Sequence, residues 1–348
     1  MTKNVSDAPG DAAPSGDRRQ FLKTASMLGA AGAVAGATHG KFGLAPITQA
    51  QAQTGGAPAA KWWPSKWGPT DEAGASNHIT PAKVLDAVKS IKDGKVYKIG
   101  RVYEQGMPLF GARAFSLRIP GSPTGGPFGT NRLVYHDEYL ATEIGQTGTQ
   151  FDGLGHIGIG DLFYNGNNRA DFSRPDGLEK LGIENVGPIV TRGVLVDVAA
   201  FKGVARLEGG YEITLADLRG ALERQRMEVR SGDVIIVHTG WSSLWKVDNA
   251  AFGATSPGIG LEAARWLVER EVVIVGSDTW SMEVVPNPNA NLAFPVHQLL
   301  IPRNGIYIFE NLLTEELARD RVYEFAFFFA PLKLKGATGS PANPLAIR

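Results

Sequence analysis

The sequence predicts a mixed α/β domain with a substantial sheet, on two observations. In the second half, short runs rich in β-branched residues alternate with helix-period segments, which is the pattern of strands and helices taken in turn. In the first half, apolar runs are short and repeatedly broken by glycine and proline. The 43 glycines and 21 prolines among 348 residues likewise favour turns and loops over a helical bundle.

In chain order, the tryptophan-rich stretch Lys61–Trp67 reads as an arm packed onto the body. Thr80-Pro81 starts a helix, a capping hydroxyl followed by proline at the first helical position, and Val84, Leu85, Val88 and Ile91 give it one apolar face. Val96–Leu117 reads as strands and Pro120–Gly129 as a loop. Ile189–Val198 is a strand by its β-branched content. Thr214 and Asp217 have the spacing of a capping box, and Leu215, Leu218 and Leu222 carry that helix toward Arg226. The strand Val234–Val237, the helix Gly260–Arg270 and the strands Val272–Val275, Ile306–Phe309 and Tyr323–Phe329 follow.

Composition narrows the function. With 35 basic and 35 acidic residues the chain lacks the surplus of Lys and Arg that nucleic acid or an anionic membrane demands, so a small-molecule substrate is expected. Having no cysteine, it holds no disulfide, thiol nucleophile or thiolate metal site; any metal takes nitrogen and oxygen ligands. Residues 1–52 read as a leader: Arg18-Arg19 followed by Phe21-Leu22-Lys23, an apolar run from Ala25 to Ala37, and the small-residue site Ala50-Gln51-Ala52. The paired arginines resemble the twin-arginine signal, which exports folded proteins, and this predicts a periplasmic protein. His39 leaves with the leader, and residues 53–348 are read as one catalytic domain with no membrane span.

Usual nucleophile and nucleotide signatures are missing. The densest group of ligand-type side chains is Gln146, Gln150, Asp152 and His156, all at even positions and thus on one face of an extended chain. Such a group suits a divalent ion, and equally a polar turn whose side chains satisfy nearby backbone. Downstream, His297 and Glu310 stand at the ends of a turn and strand spanning Gln298–Phe309. His297 reads as a ligand or a hydrogen-bonded core histidine, and Glu310 as a carboxylate that burial would make costly without a compensating charge. His238 closes a strand and either bonds a neighbouring loop or lines a pocket. Asp278 and Ser281 read as caps of the turn that follows them, and His78 as structural.

The run Thr147–His156 resembles the cyclase-superfamily signature His-x-Gly-Thr-His-x-Asp-x-x-x-His, shared by bacterial kynurenine formamidase and isatin hydrolase. Further segments agree in order: Arg192–Asp197, His238-Thr239-Gly240-Trp241, Pro257-Gly258-Ile259, Gly276–Ser281, Val296-His297, Phe309–Leu312 and Pro331–Gly336. The resemblance implies the swivelling β/β/α fold, a homo-oligomer with its site near a subunit interface, and bound Zn or Mn. Carried over by position, it makes Gln146, Gln150 and Asp152 metal ligands, His297 and Glu310 the downstream ligands, and His156 the acid/base. Glutamine replaces histidine at 146 and 150, offering a neutral, harder oxygen, which weakens binding and moves preference from Zn toward Mn or Mg. His136, ten residues upstream of Gln146, is a candidate substitute ligand.

These parts suit hydrolysis of a small amide, N-formyl group, cyclic imide or lactone, with Trp62, Trp63, Trp67 and Phe151 as candidate walls for an aromatic substrate. Two alternatives stay open: a metal-dependent lyase or dehydratase, and a periplasmic binding protein on the same scaffold.

Overall fold

β-Branched runs that can be buried on both faces form the centre of the computed structural model, which describes residues 61–348. The leader at 1–52 lies outside the described residues. β1 (Val96–Lys98), β2 (Gln150–Asp152), β3 (Ile189–Asp197), β4 (Val234–His238), β5 (Ile274–Ser277), β6 (Tyr307–Glu310), β7 (Glu324–Phe329), β8 (Gly339–Pro341) and β9 (Leu345–Ile347) build one sheet. Its order is β1-β9-β7-β3-β4-β5-β6-β2-β8. The four central strands β3, β4, β5 and β6 run parallel, and the flanking pairs are antiparallel.

Each parallel step needs a crossover, and a helix supplies it. The helices α1 (Pro81–Val88), α2 (Leu215–Gln225), α3 (Leu261–Glu269) and α4 (Pro295–Asn304) include the three that link β3 through β6. The capping box at Thr214 and Asp217 forms as its spacing predicts. Alternation along each strand divides the core. Val234 and Ile236 point into an aromatic-rich cluster with Tyr97, Phe151, Tyr307, Phe309, Phe325 and Phe327. Ile235 and Val237 face the opposite way, into an aliphatic cluster roofed by α2, α3 and α4.

The mixed α/β expectation holds, with local corrections. The apolar face proposed for α1 is not buried: Leu85 is 65% and Val88 43% exposed, Ile91 lies past the helix, and Ala87 is its buried residue. The Pro120–Gly129 loop contains a strand, Gly125–Phe128, paired with Leu133–Tyr135. A second hairpin pairs Phe115–Arg118 with Tyr139–Thr142. Between His297 and Glu310 lies no simple turn: His297 sits in the first turn of α4, because Pro295 fixes φ for helix entry. Among the described residues no helix is long and apolar enough to cross a membrane.

Candidate metal centre

The site forms where the parallel sheet gives way to an antiparallel edge. β2 lies against β6 with Gln150 opposite Glu310 and Asp152 opposite Ile308. Because side chains alternate, Gln150, Asp152, Ile308 and Glu310 share the face toward α4, while Phe151 and Phe309 anchor the strands in the aromatic cluster behind. Gly153 lets the chain leave β2 beside β8, since a Cβ there would lie 2.8 Å from the Thr338 carbonyl oxygen. His297 comes down from α4.

Asp152, His297 and Glu310 are all buried, and one ligand atom from each lies within 4.8 Å of the others. The His297 Nε2 is 3.2 Å from Glu310 Oε1. On the ring's other side, Nδ1 is 2.5 Å from Glu283 Oε1. The Gln150 amide nitrogen donates to Glu310 Oε2 at 2.8 Å and to Asp152 Oδ1 at 3.1 Å. Gln146, at φ 62 in the preceding turn, donates its side-chain amide to Glu310 and its backbone N–H to Gln150 Oε1.

Charge and hydrogen bonding both point to a cation. Glu283, Asp152 and Glu310 face one imidazole in a water-poor setting, an arrangement that is costly without counter-charge. Among the described residues, Asp152 Oδ2 and Gln146 Oε1 are buried acceptors with no partner, so the residues present fit a divalent ion. In the ion-free chain, protons take up part of the imbalance. Burial alone would lower the His297 pKa, but hydrogen bonds to Glu283 and Glu310 outweigh it and push it up to about 10. Burial pushes the Glu310 carboxyl above the usual range; the hydrogen bond from His297 opposes this and the Asp152 charge adds to it.

All six residues singled out in the sequence meet here, though not in one role. Gln146 keeps a free oxygen, whereas the Gln150 oxygen is held by the Gln146 N–H and its amide nitrogen faces the carboxylates. Gln150 thus bridges two carboxylates as a donor instead of offering the oxygen ligand read from the sequence. His156 lies between the cluster and solvent. Its Nε2 is 3.8 Å from Asp152 Oδ1, its side chain is 23% exposed, and it borders an open pocket with Arg113, Glu143, Gly145 and Thr338.

Other expectations are corrected by position. His136 is exposed on a hairpin and takes no part in the cluster. Phe151 is fully buried and stacks on Tyr307, so it cannot wall a substrate. Trp62 and Trp67 line a cavity with Val272 and Ile306, which precede β5 and β6, at the opposite end of the strands from Glu310. Trp63 packs there against Trp62 and beside Gly166. The aromatic groups near the cluster are instead Phe294, in edge contact with His297, and Trp280, stacked on Phe110. Asp278 does not cap the turn after it: it accepts from the Thr239 N–H and hydroxyl across the sheet. Ser281 does bond within the following turn, to the Glu283 carbonyl. His238 bonds Thr314, a neighbouring loop, at 2.7 Å. The sequence reading missed Glu283, a charge flanked by Met282 and Val284-Val285, and that placement was the available signal.

Residues 97–284 match the family model described as "Putative cyclase". A solved structure described as a novel cyclase is 36% identical, has a TM-score of 0.75, and covers 81% of this chain and 98% of its own. Isatin hydrolase A from Ralstonia solanacearum is 22% identical with a TM-score of 0.57, covering 78% of this chain and 98% of that one. Isatin hydrolase A from Labrenzia aggregata, bound to benzyl benzoate, is 22% identical with a TM-score of 0.54, covering 72% and 93%. At these identities the two isatin hydrolases speak for the fold alone. No curated protein sequence matches the chain.

Proposed function

The chain belongs to the cyclase family, and on that basis we propose that it is a metal-dependent hydrolase of a small amide, N-formyl, cyclic imide or lactone substrate. The observation that carries this reading is the pair of buried, unpartnered oxygens, Asp152 Oδ2 and Gln146 Oε1, beside the Asp152–His297–Glu310 cluster. Asp152, His297, Glu310 and the Gln146 oxygen would hold the ion, and this oxygen-rich set favours Mn or Mg over Zn. When bound, a divalent cation supplies Lewis acidity that polarises a carbonyl and makes water easier to deprotonate.

The chain's own residues supply the proton transfers. His156 is partly exposed and opens onto the pocket, where its imidazole takes the proton of the attacking water. It then hands that proton to the leaving nitrogen or oxygen as the carbonyl–heteroatom bond breaks. Asp152, 3.8 Å away, stabilises the imidazolium in between. Phe294, half-buried and in edge contact with His297, offers apolar surface to a flat substrate, with Trp280 packed against both it and Phe110.

Metal analysis of the purified chain, chelation, and add-back of Mn2+ or Zn2+ against a panel of formamides, imides and lactones test this reading. Chelator-sensitive turnover restored by metal is the expected result. Turnover that needs no metal would overturn it. Running the reaction in 18O-labelled water separates hydrolysis from a lyase reaction, since only hydrolysis must place solvent oxygen in the product.

The Arg18-Arg19 leader supports export and a periplasmic mature protein. The two hairpins between 115 and 142 expose Leu117, Phe128, Leu133, Val134, Tyr139 and Leu140. Isolated two-stranded hairpins are marginal in water, which supports their being covered in a homo-oligomer. Light scattering on Leu117→Glu/Leu140→Glu against the parent chain tests that assembly; an unchanged mass would exclude these hairpins from it.

A further inference from the structure

We propose that Glu283 is the positioning residue of the metal centre: it fixes the His297 ring so that Nε2, and not Nδ1, is offered to the ion. The proposal rests on the metal reading above. Glu283 is 1% exposed and meets three hydrogen-bond donors of one helix end. Its Oε2 accepts from the Val296 N–H at 3.1 Å and its Oε1 from the His297 N–H at 2.9 Å. Oε1 also lies 2.5 Å from His297 Nδ1.

The first N–H groups of a helix have no intrahelical partner. On α4, Pro295 has no N–H, and Phe294, the capping residue, makes no side-chain cap. Glu283, distant in sequence, therefore caps α4 and grips the imidazole that α4 carries with one carboxylate. An ionised carboxylate only accepts, so the hydrogen between Glu283 and Nδ1 belongs to the ring. In the ion-free chain Nε2 holds the proton that it shares with Glu310 at 3.2 Å, and an ion that displaces this proton would meet the Nε2 lone pair, because the Nδ1–H stays with Glu283. A carboxylate behind a ligating imidazole in this way fixes ring orientation and raises ligand basicity.

The backbone under Glu283 is held as firmly. Residue 283 bridges Ile259 in parallel, and a Cβ on Gly258 would lie 2.2 Å from the Glu283 carbonyl carbon. The carboxylate thus projects from a strand-like segment pinned to the body, and neither of its contacts with His297 is made by a free loop.

Glutamine at 283 would bring one acceptor oxygen to three donors and turn an N–H2 toward one of them. Calorimetric titration of Mn2+ into the metal-stripped full chain and into Glu283→Gln tests the assignment, with 15N shifts of His297 read alongside. The expected result is about 10–100-fold weaker Mn2+ binding in the variant, with the His297 Nδ1 shift of the metal-stripped chain moving as its bond to the Glu283 carboxylate is lost. A folded variant that binds Mn2+ within twofold of the parent and keeps its His297 shifts would overturn the role of Glu283. A parent chain that takes up no Mn2+ would overturn the metal reading itself, a separate outcome. Where Glu283→Gln does not fold, Glu283→Asp, shorter by one methylene, is read by the same criterion.

Discussion

Two buried charge clusters lie at opposite ends of the parallel strands, and they are built on opposite principles. At the end where β4 begins, Asp233 is fully buried, with Oδ1 2.7 Å from Lys83 Nζ of α1 and Oδ2 2.7 Å from Arg192 of β3. Arg192 also reaches Glu324 at 2.6 Å, and the Arg230 N–H fills the remaining space at 2.8 Å. Two positive groups meet two negative ones, and no polar side-chain atom of these residues is left buried without a partner. At the other end, where β6 stops, Asp152, Glu310 and Glu283 surround one imidazole, and acceptors are left over. A network that is balanced and saturated only holds a fold together; one that is neither is shaped for something else to enter.

The largest contrast follows from cutting each cluster at its carboxylate. Asp233→Ala takes from buried Arg192 one of its two carboxylates and from Lys83 its partner, and lowers stability by about 3–5 kcal/mol, read by urea unfolding. Asp152→Asn relieves repulsion and leaves the metal-free chain as stable as before or more so, while metal uptake is lost. A metal-free Asp152→Asn chain destabilised as deeply as Asp233→Ala would erase the distinction between the clusters.

His156→Ala comes next. It removes the proton-transfer group and lowers kcat by about 10²–10⁴-fold, with metal affinity and the unfolding midpoint little changed. Equal loss of metal binding would move His156 from acid/base to ligand.

A pH effect of middle size sharpens the comparison. The folded His297 pKa, up to about 10, exceeds its ordinary value of 6.5, so its protonated form stabilises the metal-free fold. That contribution is complete below pH 6.5 and is lost as pH rises through about 10. Metal has to displace this proton, so affinity tightens as pH rises over the same window. Calorimetry in buffers of different ionisation enthalpy should show proton release on metal uptake. The smallest effect belongs to an exposed pair: Lys66→Ala, cutting the contact to Glu271, should change stability by less than about 1 kcal/mol.

What was legible in the sequence follows the range of the interactions. β3, β4 and α2 are set by β-branched runs and a local capping box, and they appear close to where composition puts them. α1 failed because periodicity says which residues share a face and not whether anything packs on it; Leu85 and Val88 share a face with nothing over it. The short β2 and β8 depend on pairing across more than 180 residues, which no local pattern announces. In the site, the residue types and their meeting were readable from Gln146 to Glu310. The direction of the Gln150 amide was not, since it is set by one backbone N–H in a turn. Nor was the displacement of Trp62 and Trp67 to the far end of the strands, where Arg303 stacks on Trp62.

The most direct measurement is anomalous diffraction from crystals of the chain loaded with Mn2+. A peak is expected within coordinating distance of Asp152 Oδ2, Glu310 and His297 Nε2, with Glu283 still on Nδ1. A saturated Mn2+ site elsewhere, with these three side chains bonded only to one another, would contradict the metal reading.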